Sequence, residues 1–230
     1  PPESQIQFFK ETASAYIGSE NARNHVGCSV GIQHEDQKLV DKIVEVGCRI
    51  ICVDVAHGDH IGCNEMTSWI AKKYPDVLII AGNVATRSGA LRLYNSGAHV
   101  IKVGIGGGSL CTTRIETGNG VPQLTALEEV YRASITDIDW QAESDKMWLE
   151  ARGISHTTQA SNSRKFKIIA DGGIRRAGDI VKALCFSDAV MLGNLLAGTD
   201  ETPGWVDQGT NGEKFKEYAG SSTHKTNHVE

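Results

Sequence analysis

The residues best suited to chemistry lie in one stretch, Lys102–Arg114, where an apolar run breaks into glycines and is followed by a cysteine. Glycines let the backbone adopt positive φ and approach a ligand closely. Ser109 adds a hydroxyl to a loop whose successive backbone N–H groups suit an anion such as phosphate. Cys111 follows, close in sequence to the cationic Arg114, in surroundings that favour a nucleophilic thiolate. The competing interpretation of Cys111 is a small core residue, because free cysteines are often buried.

Other polar residues and glycines follow apolar runs that have the character of strands. Asp54 ends one such run, Asn83 follows another, and Asp171-Gly-Gly and Gly193 follow two later ones. The carboxyl ends of parallel strands meet at one edge of a sheet, so we expect these residues to lie near the Cys111 loop. Two alternatives stay open: Asp54 as the cap of the next helix, and Asp171-Gly-Gly as an ordinary turn.

The elements that must position these residues recur about every 25 residues, as short strands alternating with helices. Strands are predicted over Val26–Ile32, Cys48–Val55, Val77–Ala81, His99–Val103, Lys167–Ala170 and Ala189–Leu192. Helices are predicted over Ile6–Tyr16, Glu35–Val46, Asn64–Tyr74, Ala90–Tyr94, Pro122–Ser134 and Ala177–Cys185. The near-continuous apolar run of Cys48–Val55 is typical of a parallel strand buried on both faces.

This rhythm favours an α/β fold, an incomplete (β/α)8 TIM barrel whose functional residues follow the strands. An open doubly wound sheet is the alternative, but no Gly-x-Gly-x-x-Gly opens a helix after the first strand. The sequence predicts six clear strands, whereas a barrel needs eight. We therefore expect residues 1–230 to form a single, partial barrel domain, either a fragment or an unusual relative.

Two regions depart from the rhythm. Residues 135–165 are predicted to be an insertion or flexible segment before the seventh barrel strand, with a possible helix over Asp139–Ala151. Residues 199–230 are polar and irregular, which predicts a flap and a tail. In the first helix, we expect Phe8, Phe9 and Ala13 to face the core.

The composition limits the kinds of partner. The 230 residues are 40% hydrophobic and carry a formal net charge of −5. This balance gives no basic surface for nucleic acid, and no apolar run approaches the ~18 residues of a membrane span. The six cysteines form no Cys-x-x-Cys pair, which predicts reduced thiols and a cytoplasmic location. We expect small-molecule ligands and no nucleic-acid or membrane partner.

The run from Gly106 to Gln123 resembles the catalytic loop of the IMP dehydrogenase/GMP reductase family. Its Cys-Thr-Thr-Arg, followed by Thr-Gly-x-Gly-x-Pro-Gln, is more similar to the GMP reductases. Further segments match the family in the same order: Val53-Asp-Val-Ala, Ile80-Ala-Gly-Asn-Val-Ala-Thr, Ile169-Ala-Asp-Gly-Gly-Ile and Met191-Leu-Gly-Asn-Leu-Leu-Ala-Gly. Compared with the family pattern, the chain begins just before the third barrel strand and stops short at its C-terminus.

The resemblance implies roles for individual residues. Cys111 would attack C2 of the purine, and Thr113 would take part in proton transfer at the leaving group. Asp171 would accept hydrogen bonds from the ribose hydroxyls of the nucleotide. The other residues implied to bind the nucleotide are Ser109, Gly172, Gly173, Gly193, Asn194, Gly220 and Ser221. The nicotinamide dinucleotide would contact Asp54, Val55, Ala56 and Asn83. A monovalent cation such as K⁺ would bind carbonyls of Gly106, Gly108 and Cys111.

The activity implied by the resemblance is NADPH-dependent reductive deamination of GMP to IMP by a homotetramer. IMP dehydrogenase, which converts IMP to XMP with NAD, is the first alternative. That enzyme uses a long flap with an Arg-Tyr pair, whereas the segment from Thr199 to Tyr218 is short and contains no arginine. The second alternative is a purine-nucleotide-binding homologue without turnover.

Overall fold

A computed structural model describes residues 2–15, 25–135, 164–202, 204–209, 211–216 and 218. Six parallel strands form one sheet in chain order: β1 (Cys28–Val30), β2 (Ile50–Asp54), β3 (Leu78–Val84), β4 (Val100–Val103), β5 (Lys167–Asp171) and β6 (Ala189–Met191). A doubly wound sheet would reverse its strand order at a switch point, and this order does not reverse. The curled sheet with intervening helices is an incomplete TIM barrel, as predicted.

Helices connect successive strands and cover one face of the sheet. They are α1 (Pro2–Ala15), α2 (His34–Glu45), α3 (Ile61–Lys73), α4 (Arg87–Asn95), α5 (Thr113–Thr117), α6 (Gln123–Ile135), α7 (Ala177–Leu184) and α8 (Asn194–Ala197). On this helix-covered face, Ile51, Ile79, Ile101 and Ile168 are completely buried. They form one core with apolar residues of the helices, including Ile43, Ile70, Leu93, Leu127 and Val130. This core fixes the strands whose ends carry the polar residues.

The opposite, inner face of the sheet is less completely buried. Along the aligned row Ser29, Cys52, Ile80 and Val100, the cysteine is buried, the serine is exposed, and the other two are partly exposed. Strand β2 is therefore buried on both faces only in its middle, and the expectation that this whole run is enclosed was wrong at its end. Its last residue, Asp54, is exposed.

Capping side chains explain where the helices begin. His60 precedes α3 and its Nδ1 accepts a hydrogen bond from the Gly62 amide at 3.1 Å. Thr86 precedes α4 and accepts from the Gly89 amide at 3.2 Å. Such caps satisfy backbone N–H groups that have no partner within the helix. The helix-capping interpretation of Asp54 is therefore wrong, because His60 holds that position.

Some predicted features differ from the structure. Phe9 is 2% exposed, but Phe8 is 64% exposed, because α1 turns these neighbouring side chains to different faces. The region after Thr199 contains an antiparallel hairpin, β7 (Val206–Gln208) and β8 (Lys214–Lys216), where the sequence predicted irregular structure. Strand β3 extends to Val84, three residues beyond its predicted end. No helix among the described residues is long and apolar enough to span a bilayer.

Other predictions fall on residues that the structure does not describe. The proposed helix over Asp139–Ala151 and most of the predicted insertion lie within 136–163, outside the described residues. Gly220 and Ser221, assigned to the nucleotide site by resemblance, also lie outside them. Position 13 of α1 is helical, but its side chain is outside the described set.

Candidate active site

The loop after β4 carries the predicted nucleophile. Gly104 and Gly106 adopt φ values of +146° and +73°, which place the backbone in a conformation that favours glycine. The loop then turns so that the Cys111 amide donates to the Gly108 carbonyl at 3.1 Å. The Cys111 thiol donates to the Thr113 hydroxyl at 3.2 Å, at the start of α5. Cys111 is partly exposed and lines a cavity, so its interpretation as a core residue was wrong.

The Cys111 loop packs directly on the turn after β5. A Cβ at Gly104 would lie 1.9 Å from the Asp171 carbonyl oxygen, so a larger residue there would overlap the backbone. A Cβ at Gly172 would lie 3.0 Å from the Gly108 amide nitrogen. Gly172 and Gly173 also have positive φ, at +95° and +79°. Two glycine turns far apart in the sequence thus form one surface at the carboxyl end of the sheet.

A cavity of about 620 Å³ opens on this surface, a volume in the range of small-molecule sites. Its polar and backbone lining comes from the ends of β1 to β5 and from the Cys111 loop. The predicted site residues among its lining are Asp54, Val55, Ala56, Asn83, Gly106, Gly108, Ser109, Cys111, Thr113, Asp171 and Gly172. The structure therefore brings together residues that the sequence separates by more than a hundred positions.

Lys102, at the inner face of β4, links two of the predicted carboxylates. Its Nζ lies 2.7 Å from Asp54 Oδ1 and 3.0 Å from Asp171 Oδ2, and the lysine is almost completely buried. Burial disfavours the charged ammonium, but the Asp171 and Asp54 carboxylates outweigh it and hold the pKa of Lys102 above its usual value. The site therefore contains a charged lysine shared by two acids.

Asn83 is positioned by an irregularity in β3. Gly82 pairs with Lys102 and Val84 pairs with Val103, so Asn83 is an extra residue in the ladder. Its Nδ2 donates to the Asp171 carboxylate and to the Gly104 carbonyl, both at 2.9 Å. Asn83 therefore joins the β3 end to the Asp171 turn.

Two buried amide oxygens have no hydrogen-bond partner within the described part of the chain: Asn83 Oδ1 and Gln123 Oε1. Gln123 anchors the start of α6, where its Nε2 donates to the Val103 carbonyl at 2.8 Å. Buried acceptors of this kind are normally satisfied by water or by a ligand. Of the two residues, Asn83 lines the cavity, so its oxygen is an acceptor available to a polar molecule there.

The sequence spacing predicted that Arg114 lies beside the Cys111 thiol, but in the structure Arg114 contacts other groups. Its Nη2 donates to the Val121 carbonyl at 2.8 Å, and its aliphatic carbons pack against Gly106 and Gly120. Arg114 thus ties the loop back to the segment before α6, while Thr113 makes the hydrogen bond to the thiol.

Some predicted nucleotide-site residues lie at the margin of the cavity. Gly173 follows the lining residue Gly172, while Gly193 and Asn194 begin α8 outside the lining set. The Tyr218 hydroxyl lies 2.6 Å from where a Cβ on Gly193 would stand, and Tyr218 does line the cavity. No site role was predicted from the sequence for Tyr218 or Gln123, although Gln123 ends the run that resembles the catalytic loop and Tyr218 lies two residues before Gly220.

The arrangement joins three chemical capacities. Glycine amides and Ser109 suit a phosphate, and the carboxylate of Asp171 can accept hydrogen bonds from a diol. Cys111 supplies a thiol next to the hydroxyl of Thr113, which can relay a proton. These groups face one cavity, so a phosphorylated sugar with an electrophilic base would meet all three.

The comparisons with known proteins identify the family. The model of the IMP dehydrogenase/GMP reductase domain matches residues 3–143 and 150–229. An inosine-5'-monophosphate dehydrogenase from Staphylococcus saprophyticus is 41% identical over 202 residues, covering 87% of this chain and 36% of that protein. The corresponding enzyme from Borreliella burgdorferi is 40% identical over 201 residues, covering 87% of this chain and 43% of that protein.

Solved structures show the same relationship. A GMP reductase variant from Trypanosoma brucei, crystallised with guanosine 5'-monophosphate, has a TM-score of 0.71 and 36% sequence identity. The match covers 88% of this chain and 37% of that one. The chain therefore spans less than half the length of these relatives. Its sequence and fold both place the chain in the IMP dehydrogenase/GMP reductase family.

Proposed function

We propose that the chain carries the catalytic centre of a GMP reductase, which converts GMP to IMP and ammonia through a thioimidate on Cys111. The observation that carries this proposal is the 3.2 Å hydrogen bond between the Cys111 thiol and the Thr113 hydroxyl, on a cavity that also contains Asp171. The pair provides a nucleophile and a group that can move a proton beside it.

The chemistry balances with these residues. The Cys111 thiolate forms a bond to C2 of the purine, and the 2-amino group gains a proton through Thr113 and leaves as ammonia. Hydride addition at C2 and cleavage of the carbon–sulfur bond then give IMP and restore the thiolate. A bound reduced nicotinamide supplies that hydride.

Binding of the nucleotide follows from the glycine turns. Ser109 and the amides of Gly172 and Gly173 would hold the phosphate. Gly193 would also contact it, since Gly193 lies next to the hydroxyl of Tyr218, which lines the cavity. Asp171 would accept hydrogen bonds from the ribose hydroxyls, since Lys102 and Asn83 both contact its Oδ2 and leave Oδ1 for a ligand.

The part of the cavity lining that follows β2 suits the nicotinamide dinucleotide. Asp54 has an exposed carboxylate at the end of β2, and Val55 and Ala56 follow it along the cavity wall. These residues fit a group that combines ribose hydroxyls with a flat ring, because a carboxylate accepts the hydroxyls and small apolar side chains pack on the ring. Asn83 lies between this wall and Asp171, which would place the two ligands side by side.

A monovalent cation is a second component of the proposal. The carbonyls of Gly106, Gly108 and Cys111 belong to one tight loop, and carbonyl oxygens are ligands that hard cations prefer. The Gly108 carbonyl accepts the Cys111 amide and has a second lone pair for an ion. We expect K⁺ to raise turnover relative to Na⁺ by ordering the nucleophile's loop.

IMP dehydrogenase is the second candidate, and the identity of 41% to an enzyme of that name favours it. In that reaction Cys111 also adds to C2, but a hydride leaves IMP first and water then cleaves the thioimidate to give XMP. The thiol and the nucleotide-binding residues have the same roles in both reactions. The direction therefore needs a kinetic measurement.

The test is NADPH absorbance with GMP, with ammonia release followed in parallel, on the 230-residue chain. We expect absorbance loss with equal ammonia formation, and a fall of at least about a thousandfold in Cys111→Ser because the nucleophile is removed. Cys185→Ser is the matched control, since that thiol is exposed on the end of α7 and should leave the rate unchanged.

Other outcomes redirect the assignment. NADH formation from IMP and NAD, with no reaction of GMP, would establish the dehydrogenase instead. Absence of turnover in both directions, with GMP still raising the melting temperature, would overturn both enzyme proposals. The chain would then be a nucleotide-binding homologue.

A further inference from the structure

Lys102 occupies an unusual place in the sheet. In register, Asp54 on β2 pairs with Gly82 on β3, and Gly82 pairs with Lys102 on β4. The two charged residues thus lie in one row with a glycine between them. The lysine is 3% exposed, and its ammonium still reaches Asp54 Oδ1 at 2.7 Å across the intervening strand.

Gly82 makes this reach possible. Neighbouring strands lie about 4.8 Å apart, so the lysine side chain must pass over β3 to contact β2. A Cβ at Gly82 would lie 2.6 Å from Lys102 Cβ and 2.5 Å from its carbonyl oxygen. Any side chain at position 82 would therefore occupy the path of the lysine.

The ammonium joins residues from three strands. Its second contact is Asp171 Oδ2 on β5, at 3.0 Å, the same oxygen that accepts from Asn83. Without the positive charge, Asp54 and Asp171 would be two carboxylates facing one cavity, which repel each other. With it, one oxygen of each acid is held and the second can accept hydrogen bonds from a ligand.

We propose that Lys102 is a positioning residue that holds Asp54 and Asp171 ready for the hydroxyl groups of two different ribose-containing ligands, with Gly82 as the gap that admits its side chain. This inference rests on the proposed function, since it assigns the nucleotide ribose to Asp171 and the dinucleotide to Asp54. It adds a residue, itself part of the cavity lining, that determines how both carboxylates are presented.

The test compares binding of GMP and 2'-deoxy-GMP by calorimetry, because the two differ by one hydroxyl at the ribose. We expect wild type to prefer GMP by at least about tenfold, the value of a hydrogen bond to a charged group. In Lys102→Met, which keeps most of the length of the side chain without its charge, the preference should fall below about threefold. Lys102→Arg should retain part of it.

A purely structural role of the lysine gives a different result. It would weaken binding of both nucleotides by the same factor and leave their ratio unchanged. Gly82→Ala provides a second variant that keeps every charge; its methyl crowds both Cβ and the carbonyl oxygen of Lys102, so it displaces the lysine and should also lower the ratio. Gly178→Ala is the matched control, since a Cβ there meets nothing within 4 Å.

The failures can be told apart. If wild type binds neither nucleotide, the proposed function is overturned and this inference with it. If wild type discriminates and both Lys102→Met and Gly82→Ala keep the same ratio while remaining folded by circular dichroism, this inference alone is overturned. If Lys102→Met does not fold, the ratio in Gly82→Ala decides.

Discussion

The two faces of the six-stranded sheet share the same strands but carry different kinds of side chain. On the helix-covered face, Ile51, Ile79 and Ile101 are fully buried against the helices. On the inner face the same strands present Asp54 and Lys102, together with apolar residues that are only partly covered. Because side chains alternate between faces, one residue of a strand packs against the helices and the next faces the site.

The difference shows where the fold tolerates chemistry. Hydrophobic burial on the helix-covered face stabilises the strands independently of what the inner face carries. The inner face can then hold a buried ammonium, two acids and a thiol that would weaken an ordinary core. A glycine-to-backbone contact at the strand ends, rather than apolar packing, sets the shape of the site.

The largest expected effect is a difference in labelling rate between buried and exposed cysteines. Burial raises the pKa of Cys52 to about 11 and that of Cys63 to about 12. At pH 8 a thiol of pKa 11 is thiolate about one part in a thousand, whereas a model thiol is thiolate about one part in ten, so iodoacetamide should label Cys52 at least about a hundredfold and Cys63 about a thousandfold more slowly than a model thiol. Cys111 and Cys185, which reach solvent, should be labelled first, as measured by mass spectrometry of peptides.

Ligand protection sharpens that result. GMP should shield Cys111 from labelling and leave Cys185 unaffected, because only the former lines the cavity. Equal protection of both thiols would indicate a general tightening of the fold rather than occupation of the site. Fast labelling of Cys52 would show that solvent reaches the inner face as far as the middle of β2.

The next effect contrasts the two faces within β3. Ile79→Ala empties a fully buried position on the helix-covered face and should lower the free energy of unfolding by about 2–5 kcal/mol. Ile80→Ala, one residue later on the inner face, removes a partly exposed side chain and should cost roughly half as much. Urea unfolding measures both. Equal losses would mean that the inner face is packed as tightly as the helix side.

Much of the fold is readable from the sequence. Apolar runs ending at Asp54 and Asp171 predicted β2 and β5, and the rhythm of turns predicted a barrel. Strand β3 was predicted too short because Gly82 and Asn83 are poor strand formers, whereas here the glycine admits a lysine and the asparagine is an extra residue in the ladder. The hairpin over 206–216 was missed because its residues are mostly exposed and lack a one-sided apolar pattern.

The site was only partly predictable for a related reason. Residue types and order indicated Cys111 and Asp171, and the family resemblance added Thr113; the structure places all three on the cavity. Lys102 was not assigned a role, because a lysine at the end of an apolar run is usually solvated. Its partners depend on register across β2, β3 and β4, which a single sequence does not specify.

A smaller effect tests the contact between the glycine turns. Gly104→Ala adds a methyl group 1.9 Å from the Asp171 carbonyl oxygen at a φ of +146°, and should destabilise the chain by about 1–3 kcal/mol. Nucleotide affinity should fall as well, because the Cys111 loop can no longer rest on the Asp171 turn. Gly178→Ala, in open space on α7, serves as the control and should not destabilise. Unchanged stability in Gly104→Ala would contradict close packing of the two turns.

Charged clusters lie at both ends of the strands. One lines the cavity, and the other joins two strands. At the carboxyl end Lys102 is shared by acids that line the cavity. At the amino end Asp188, just before β6, accepts from the Ile168 amide at 2.9 Å and pairs with Arg164 and Lys167. This second cluster fastens β6 to β5, and its residues do not line the cavity at the carboxyl end. We therefore expect its charges to act on stability.

The smallest expected effect is a pH-dependent one at Asp188. Burial opposes its ionised form, but the Ile168 amide and the neighbouring cations outweigh this and hold the pKa of Asp188 below its usual value. The resulting stability is present above about pH 4 and is lost as the pH falls through the lowered pKa. Asp188→Asn should therefore cost about 1–2 kcal/mol at pH 7 and progressively less towards pH 3, as measured by urea unfolding. Glu128→Gln, which breaks an exposed pair within α6, should cost only about 0.5 kcal/mol. A pH-independent loss in Asp188→Asn would assign its effect to hydrogen-bond geometry instead of charge, and unchanged GMP binding in the same variant would show that the amino-end cluster stabilises the sheet without shaping the site.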